Sequence, residues 1–116
     1  MVNVIISLGS NYHQGVHIQW ASERLSQLLS DVHYSRKLWT QDIHHRNIWY
    51  MNRLVIAKTS MTVEELDRSL KDIETETRRT PEHVTIDLDI MQYNGQRYHL
   101  KDWSRSYIQR LIDDIL

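Results

Sequence analysis

Two aspartates, Asp87 and Asp89, stand two residues apart in the run Thr85-Ile86-Asp87-Leu88-Asp89-Ile90. On a strand, side chains alternate. Both carboxylates then share one face, while Ile86, Leu88 and Ile90 point into the core. The two Cα atoms would lie roughly 6–7 Å apart. Like charges held side by side need a cation between them, or one of them keeps its proton to higher pH. Oxygen-only ligands suit Mg²⁺, which takes one or two carboxylates together with substrate phosphates. The pattern therefore points to phosphoryl-type chemistry, with a plain solvated strand face as the alternative.

Those aspartates need a scaffold, and the rest of the chain supplies its elements. Val2 to Leu8 is apolar and β-branched and reads as a buried strand. After the break at Gly9-Ser10-Asn11, Ile18, Ala21, Leu25, Leu28 and Leu29 recur at helical spacing, which predicts a helix from about Gln14 to Ser30. A strand is expected over Val32 to Gln41, a polar loop over Asp42 to Ile48, and a second strong strand over Trp49 to Thr59. Thr62-Val63-Glu64-Glu65 is a capping box that opens a helix with Val63, Leu66, Leu70 and Ile73 on its buried stripe. Arg78 to His83 is a loop, and Val84 to Gln92 is the strand that carries the aspartates. Asn94-Gly95 marks a tight turn, and Tyr107, Ile108, Leu111, Ile112 and Ile115 mark a terminal helix. The order β-α-β-β-α-β is the split βαβ, or ferredoxin-like, pattern: an α+β fold with helices packed on an antiparallel sheet, plus a C-terminal helix. The ligand would then use the free face of the sheet or the loops at one end.

At 116 residues, with 41% hydrophobic and 25% charged residues, the chain reads as a single domain over 1–116. A net charge of −1 gives no bulk attraction to nucleic acid or to an anionic membrane, so neither partner is expected. There are no cysteines, which excludes disulfides and thiolate metal sites and suits a reducing compartment. Val4-Ile5-Ile6 is too short for a membrane span or signal sequence, so a cytoplasmic location is expected. Neither a Walker-type loop nor Gly-x-Gly-x-x-Gly occurs. His13 and His17 are four apart, but no third ligand is suggested, and they read as surface residues.

With the elements placed, the chain resembles the hydroxymethyl-dihydropterin pyrophosphokinase family of folate biosynthesis along nearly its whole length. The resemblance rests on spaced pieces. They are Leu8-Gly9-Ser10-Asn11 after the first strand, Tyr50-Met51-Asn52, Ile73-Glu74, the Thr85–Ile90 run, and His99 six before Arg105-Ser106-Tyr107-Ile108. It implies ATP- and Mg²⁺-dependent transfer of diphosphate to 6-hydroxymethyl-7,8-dihydropterin. Asp87 and Asp89 would hold two Mg²⁺ ions against the ATP phosphates, with Arg79 as a catalytic cation. Glu74, Ile90, His99 and Arg105 would bind ATP, Ile90 by lining the adenine pocket. Thr40, Ile43, Tyr50, Asn52 and Tyr107 would bind the pterin. ATP and the pterin are the implied partners, and a monomer or homodimer is expected.

The resemblance departs in one place. The family carries a long mobile loop before its aspartates, with several arginines and a tryptophan. Here only Arg78-Arg79-Thr80-Pro81-Glu82-His83-Val84 joins helix to strand, and Val84 stands where the family has an arginine. Trp103, close to His99 and Arg105, is the candidate to replace the lost tryptophan as a ligand contact. Three readings stay open: an active enzyme without the lid, a relative that binds nucleotide or pterin without turnover, and a structural or interaction module.

Overall fold

An eleven-residue strand, β4 in chain order, organises the sheet of the computed structural model, which describes all residues from Met1 to Leu116. The elements run β1 (Val2–Ser10), α1 (Gln14–Leu28), β2 (Ser30–Tyr34), β3 (Leu38–Gln41), β4 (Trp49–Thr59), α2 (Val63–Glu76), β5 (Asp87–Tyr93), β6 (Gln96–Arg97), α3 (Leu100–Trp103) and α4 (Ser106–Ile115). The sheet order is β2-β4-β1-β5-β6, with β3 also on β4, and all pairs are antiparallel. This is the expected α+β, ferredoxin-like arrangement.

Local chemistry explains most boundaries. Thr62 accepts from the Glu65 N–H at 3.2 Å, and the Glu65 carboxylate accepts from the Thr62 N–H at 2.9 Å, so the capping box closes as expected. Asn94 and Gly95 both take positive φ, 49° and 85°, which the tight β5–β6 hairpin demands. The strand expected over Val32–Gln41 is instead split into β2 and β3. Ser35, fully buried, explains the break. Its N–H donates to the Leu54 carbonyl, and its hydroxyl, in place of a strand carbonyl, accepts from the Leu54 N–H, both at 2.8 Å. Arg36 then turns outward, and its N–H and guanidinium both reach Asp114 of α4 at 2.9 Å.

The alternation of β1 sorts the molecule into three layers. Val4, Ile6 and Leu8 join Ile18, Ala21 and Leu25 of α1, Leu66, Leu70 and Ile73 of α2, and Leu88 and Ile90 of β5. Ile5, Leu54 and Met91 face the other way, under Trp103 and the α4 residues Ile108, Leu111, Ile112 and Ile115. Each such side chain contributes about 1.5–3 kcal/mol on burial. The second face of the sheet is therefore covered along part of its length by α4, and the part beyond α4 is left for a ligand. No helix is long and apolar enough to cross a membrane.

Candidate functional site

Beyond the N-terminus of α4, the uncovered sheet floors a cleft of about 550 Å³. Small residues of β1 open this floor: Ser7 lies opposite Asp89, and Gly9 opposite Asp87. The β3–β4 loop, with Asp42, Ile43 and His44, forms one wall, and Arg105 and Tyr107 form another. Eight of the expected site residues line this one cleft: Thr40, Ile43, Tyr50, Asn52, Asp87, Asp89, Arg105 and Tyr107.

Asp87 and Asp89 share the cleft face, as strand alternation requires. Asp89 is pushed up to about 6, first by burial and then by the Asp87 charge, while His99 pulls the other way. The His99 Nε2 atom lies 3.8 Å from Asp89 Oδ1. Behind Asp87 stands Glu74, whose carboxylate accepts the Leu88 N–H at 2.8 Å. That N–H lies on the side of β5 away from β1, so Glu74 braces the peptide between the two aspartates. Burial pushes the Glu74 carboxyl up, and the Leu88 hydrogen bond opposes it. Arg79 Nη1 sits 3.7 Å from both Glu74 and Asp87. The three carboxylates in a row are thus flanked by one arginine and one histidine.

Hydrogen bonds build the other end of the cleft. The Asn52 amide nitrogen donates to Thr40 Oγ1 at 2.7 Å and to the Leu38 carbonyl at 3.3 Å. Its oxygen is left as the acceptor on the cleft side, 3.7 Å from where a Cβ on Gly9 would sit. Asp42 accepts from the His44 and His45 N–H groups at 2.7 and 3.1 Å, which holds its carboxyl below the usual range and fixes the loop carrying Ile43. Burial pushes the Tyr50 and Tyr107 hydroxyls up, so both rings present neutral walls.

Ile90 is not among the residues that line this cleft; one residue out of phase with the aspartates, it is 7% exposed and packs in the core with residues of α1 and α2. One expectation needs correction: Trp103 is not placed as a ligand contact. It is 6% exposed, and its indole N–H donates to the Met91 and Tyr98 carbonyls, which anchors α3 to the sheet. Arg79, Glu74 and His99 stand around the aspartate pair rather than on the cleft wall.

Four residues matter beyond those expected to act in the site. Asn11 donates its N–H to the Val84 carbonyl at 2.9 Å and accepts the Val84 N–H on its side chain at 2.7 Å. Its amide also reaches the Tyr50 hydroxyl at 3.4 Å. Asn11 thereby pins the segment before Asp87 to the wall of the cleft, and an asparagine ending a strand was the available signal. Asp42 and Asp102 also line the cleft; Asp102, three residues before Arg105, was detectable as a helical i,i+3 pair. His83 stacks on Tyr12 at 3.9 Å and adds a second tie to the short loop. The His13 and His17 rings lie 6.3 Å apart, and no three residues group as metal ligands anywhere in the chain.

The donor set fits Mg²⁺. Two strand carboxylates supply hard oxygens and leave most positions to phosphate and water, and no soft or nitrogen-rich cluster competes. The family model described as 7,8-dihydro-6-hydroxymethylpterin-pyrophosphokinase matches residues 5–115. No curated protein matches the chain.

Proposed function

The chain belongs to the 7,8-dihydro-6-hydroxymethylpterin-pyrophosphokinase family, and we propose that it transfers the terminal diphosphate of ATP to the hydroxymethyl oxygen of its pterin, for folate synthesis. The observation that carries this reading is the juxtaposition of Asp87 and Asp89 with the Asn52–Thr40 pocket in one cleft.

The charge balance of the cleft supports a role for metal. Asp42, Asp87, Asp89 and Asp102 line it, against Arg53 and Arg105. The Arg53 fork is turned away, donating to the Ser35 carbonyl and to Ser22 on the helix side. A polyphosphate would meet net negative charge unless divalent cations came with it. Mg²⁺ held by Asp87 and Asp89 would supply that positive charge and polarise the phosphoryl oxygens.

The protein's own groups would then divide the work. Arg105 and His99 bind phosphate oxygens. Glu74 and Asn11 hold the two aspartates in place from behind. Asn52 presents its carbonyl oxygen to ring N–H donors of the pterin, while Tyr50, Tyr107 and Ile43 pack against its faces. The hydroxymethyl oxygen forms its bond to the β-phosphorus as the bond from the β-phosphorus to the α,β-bridging oxygen breaks; that oxygen leaves on AMP, and the hydroxyl proton passes to solvent. Such transfers depend on positioning and charge neutralisation.

A binding-only relative is the second reading. It is favoured by the short segment before Asp87, which Asn11 and Tyr12 tie down and which bears no tryptophan. One assay separates the two. Pure protein with ATP, Mg²⁺ and 6-hydroxymethyl-7,8-dihydropterin is expected to form AMP and pterin diphosphate in equal amounts. Tight binding of a non-hydrolysable ATP analogue with no AMP formed would replace catalysis by the binding-only reading.

A further inference from the structure

Arg105 lines the cleft, and its single side-chain partner is Asp102: Nε donates to Oδ1 at 2.8 Å. We propose that Asp102 is a positioning residue, which grips Arg105 by Nε so that both terminal nitrogens face the incoming phosphate.

The corner between α3 and α4 is built to hold this pair. Buried Trp103 pins the corner to the sheet through the Met91 and Tyr98 carbonyls. The Arg105 N–H donates to the Asp102 carbonyl at 3.0 Å, and the Asp102 N–H donates to the His99 carbonyl at 2.8 Å. Gln109 of α4 bonds back to the Trp103 carbonyl. The backbone therefore fixes the register, and the turn from Asp102 to Arg105 brings both charged groups together.

Stability does not explain the pair. Asp102 and Arg105 are 34% and 39% exposed, and exposed ion pairs add little to folding. Nor does electrostatics alone favour a carboxylate there, since Asp87 and Asp89 already make the cleft negative. A bystander aspartate would only repel a polyphosphate. A carboxylate that takes Nε–H leaves the four terminal N–H bonds of the guanidinium fork for bidentate contact with phosphate. The two roles therefore predict opposite signs when Asp102 is removed.

The inference rests on the proposed nucleotide site, and its test reads binding rather than turnover. Calorimetry would measure the affinity for Mg²⁺ with a non-hydrolysable ATP analogue, and for Mg²⁺ with tripolyphosphate. Asp102→Ala is expected to weaken both about tenfold, the loss of a well-aimed bidentate contact. Asp102→Asn, which keeps an oxygen acceptor, should stay within about threefold of wild type. In an Arg105→Ala background, Asp102→Ala should cause no further loss. Pterin affinity should be unchanged throughout, which reports an intact fold. Equal or tighter polyphosphate binding by Asp102→Ala would overturn the inference, as would the same loss without Arg105. If wild type forms no AMP yet the ranking on tripolyphosphate holds, the catalytic reading fails and the positioning role stands. If wild type takes up neither probe, both fall.

Discussion

At the Thr40–Asn52 end of the cleft, the neutral side chains of Asn52 and Thr40 satisfy one another. At the Asp87–Asp89 end, carboxylates crowd one another. Asn52 uses both amide hydrogens on Thr40 and Leu38 and aims its oxygen before any ligand arrives. Asp89, in contrast, is pushed up to about 6 by burial and by Asp87, with His99 only 3.8 Å away to offset them. One end is preorganised by hydrogen bonds whose energies do not depend on ionic conditions. At the other, burial and a neighbouring carboxylate make Asp89 hold its proton to higher pH than an ordinary aspartate. Affinity for a neutral heterocycle and affinity for a metal-bound polyphosphate should therefore respond to different variables.

The largest test of this contrast removes the charged end. Asp87→Asn and Asp89→Asn should each lower AMP formation by on the order of a thousandfold, the scale for losing electrostatic stabilisation of a transferring group. Pterin affinity, read by fluorescence titration, should stay near wild type. A matching loss of pterin affinity would mean that the two ends are one unit. The converse variant, Asn52→Ala, should weaken pterin binding by roughly 10–100-fold, because a directional polar contact is lost. Mg²⁺-nucleotide affinity measured in the same protein should hold.

Acidity should act on one end only. Below pH 6, Mg²⁺-nucleotide affinity should fall by about tenfold per pH unit as Asp89 takes up a proton that the metal must displace. The stability of the ligand-free protein should carry the opposite sign. Asp89 has a folded pKa above its unfolded value of about 3.9. The folded state therefore binds more protons between that pH and 6. This contribution to stability is present below about pH 4 and is lost as pH rises through 6. Melting temperatures across pH 4–7 should show this trend in wild type and a weaker one in Asp89→Asn, where only Glu74 remains shifted in the same direction. The smallest expected effect on binding belongs to Trp103→Phe. It should leave both ligand affinities unchanged while costing about 1–3 kcal/mol of stability, since the Met91 and Tyr98 carbonyls lose their donor.

Some of this was legible before any coordinates. The period-2 pattern around Asp87 and Asp89 placed both on one face, and the Thr62–Glu65 box opened α2, because each depends on neighbours in sequence. The same alternation sent Ile90 to the opposite face, in the core shared with α1 and α2. Ser35 was not legible as a break. Its hydroxyl can replace a backbone acceptor only because Leu54 comes opposite from a separate strand. Trp103 was misread because an indole near His99 and Arg105 in sequence says nothing about which carbonyls its N–H will find.

The sequence by itself determined most of the elements, the common face of Asp87 and Asp89, and the family. Periodicity and capping are local, and motif spacing is carried along the chain. Only the tertiary structure decided that Asn11 grips Val84 from 73 residues away, that Arg79 lies between Glu74 and Asp87, and that Arg105 lines the cleft with Asp102 on its Nε. It also decided the shift at Asp89, which comes from burial and from charges at positions 87, 99 and 102. Desolvation and Coulomb forces act through space, and their size was set when α3 and α4 folded over the far side of the sheet.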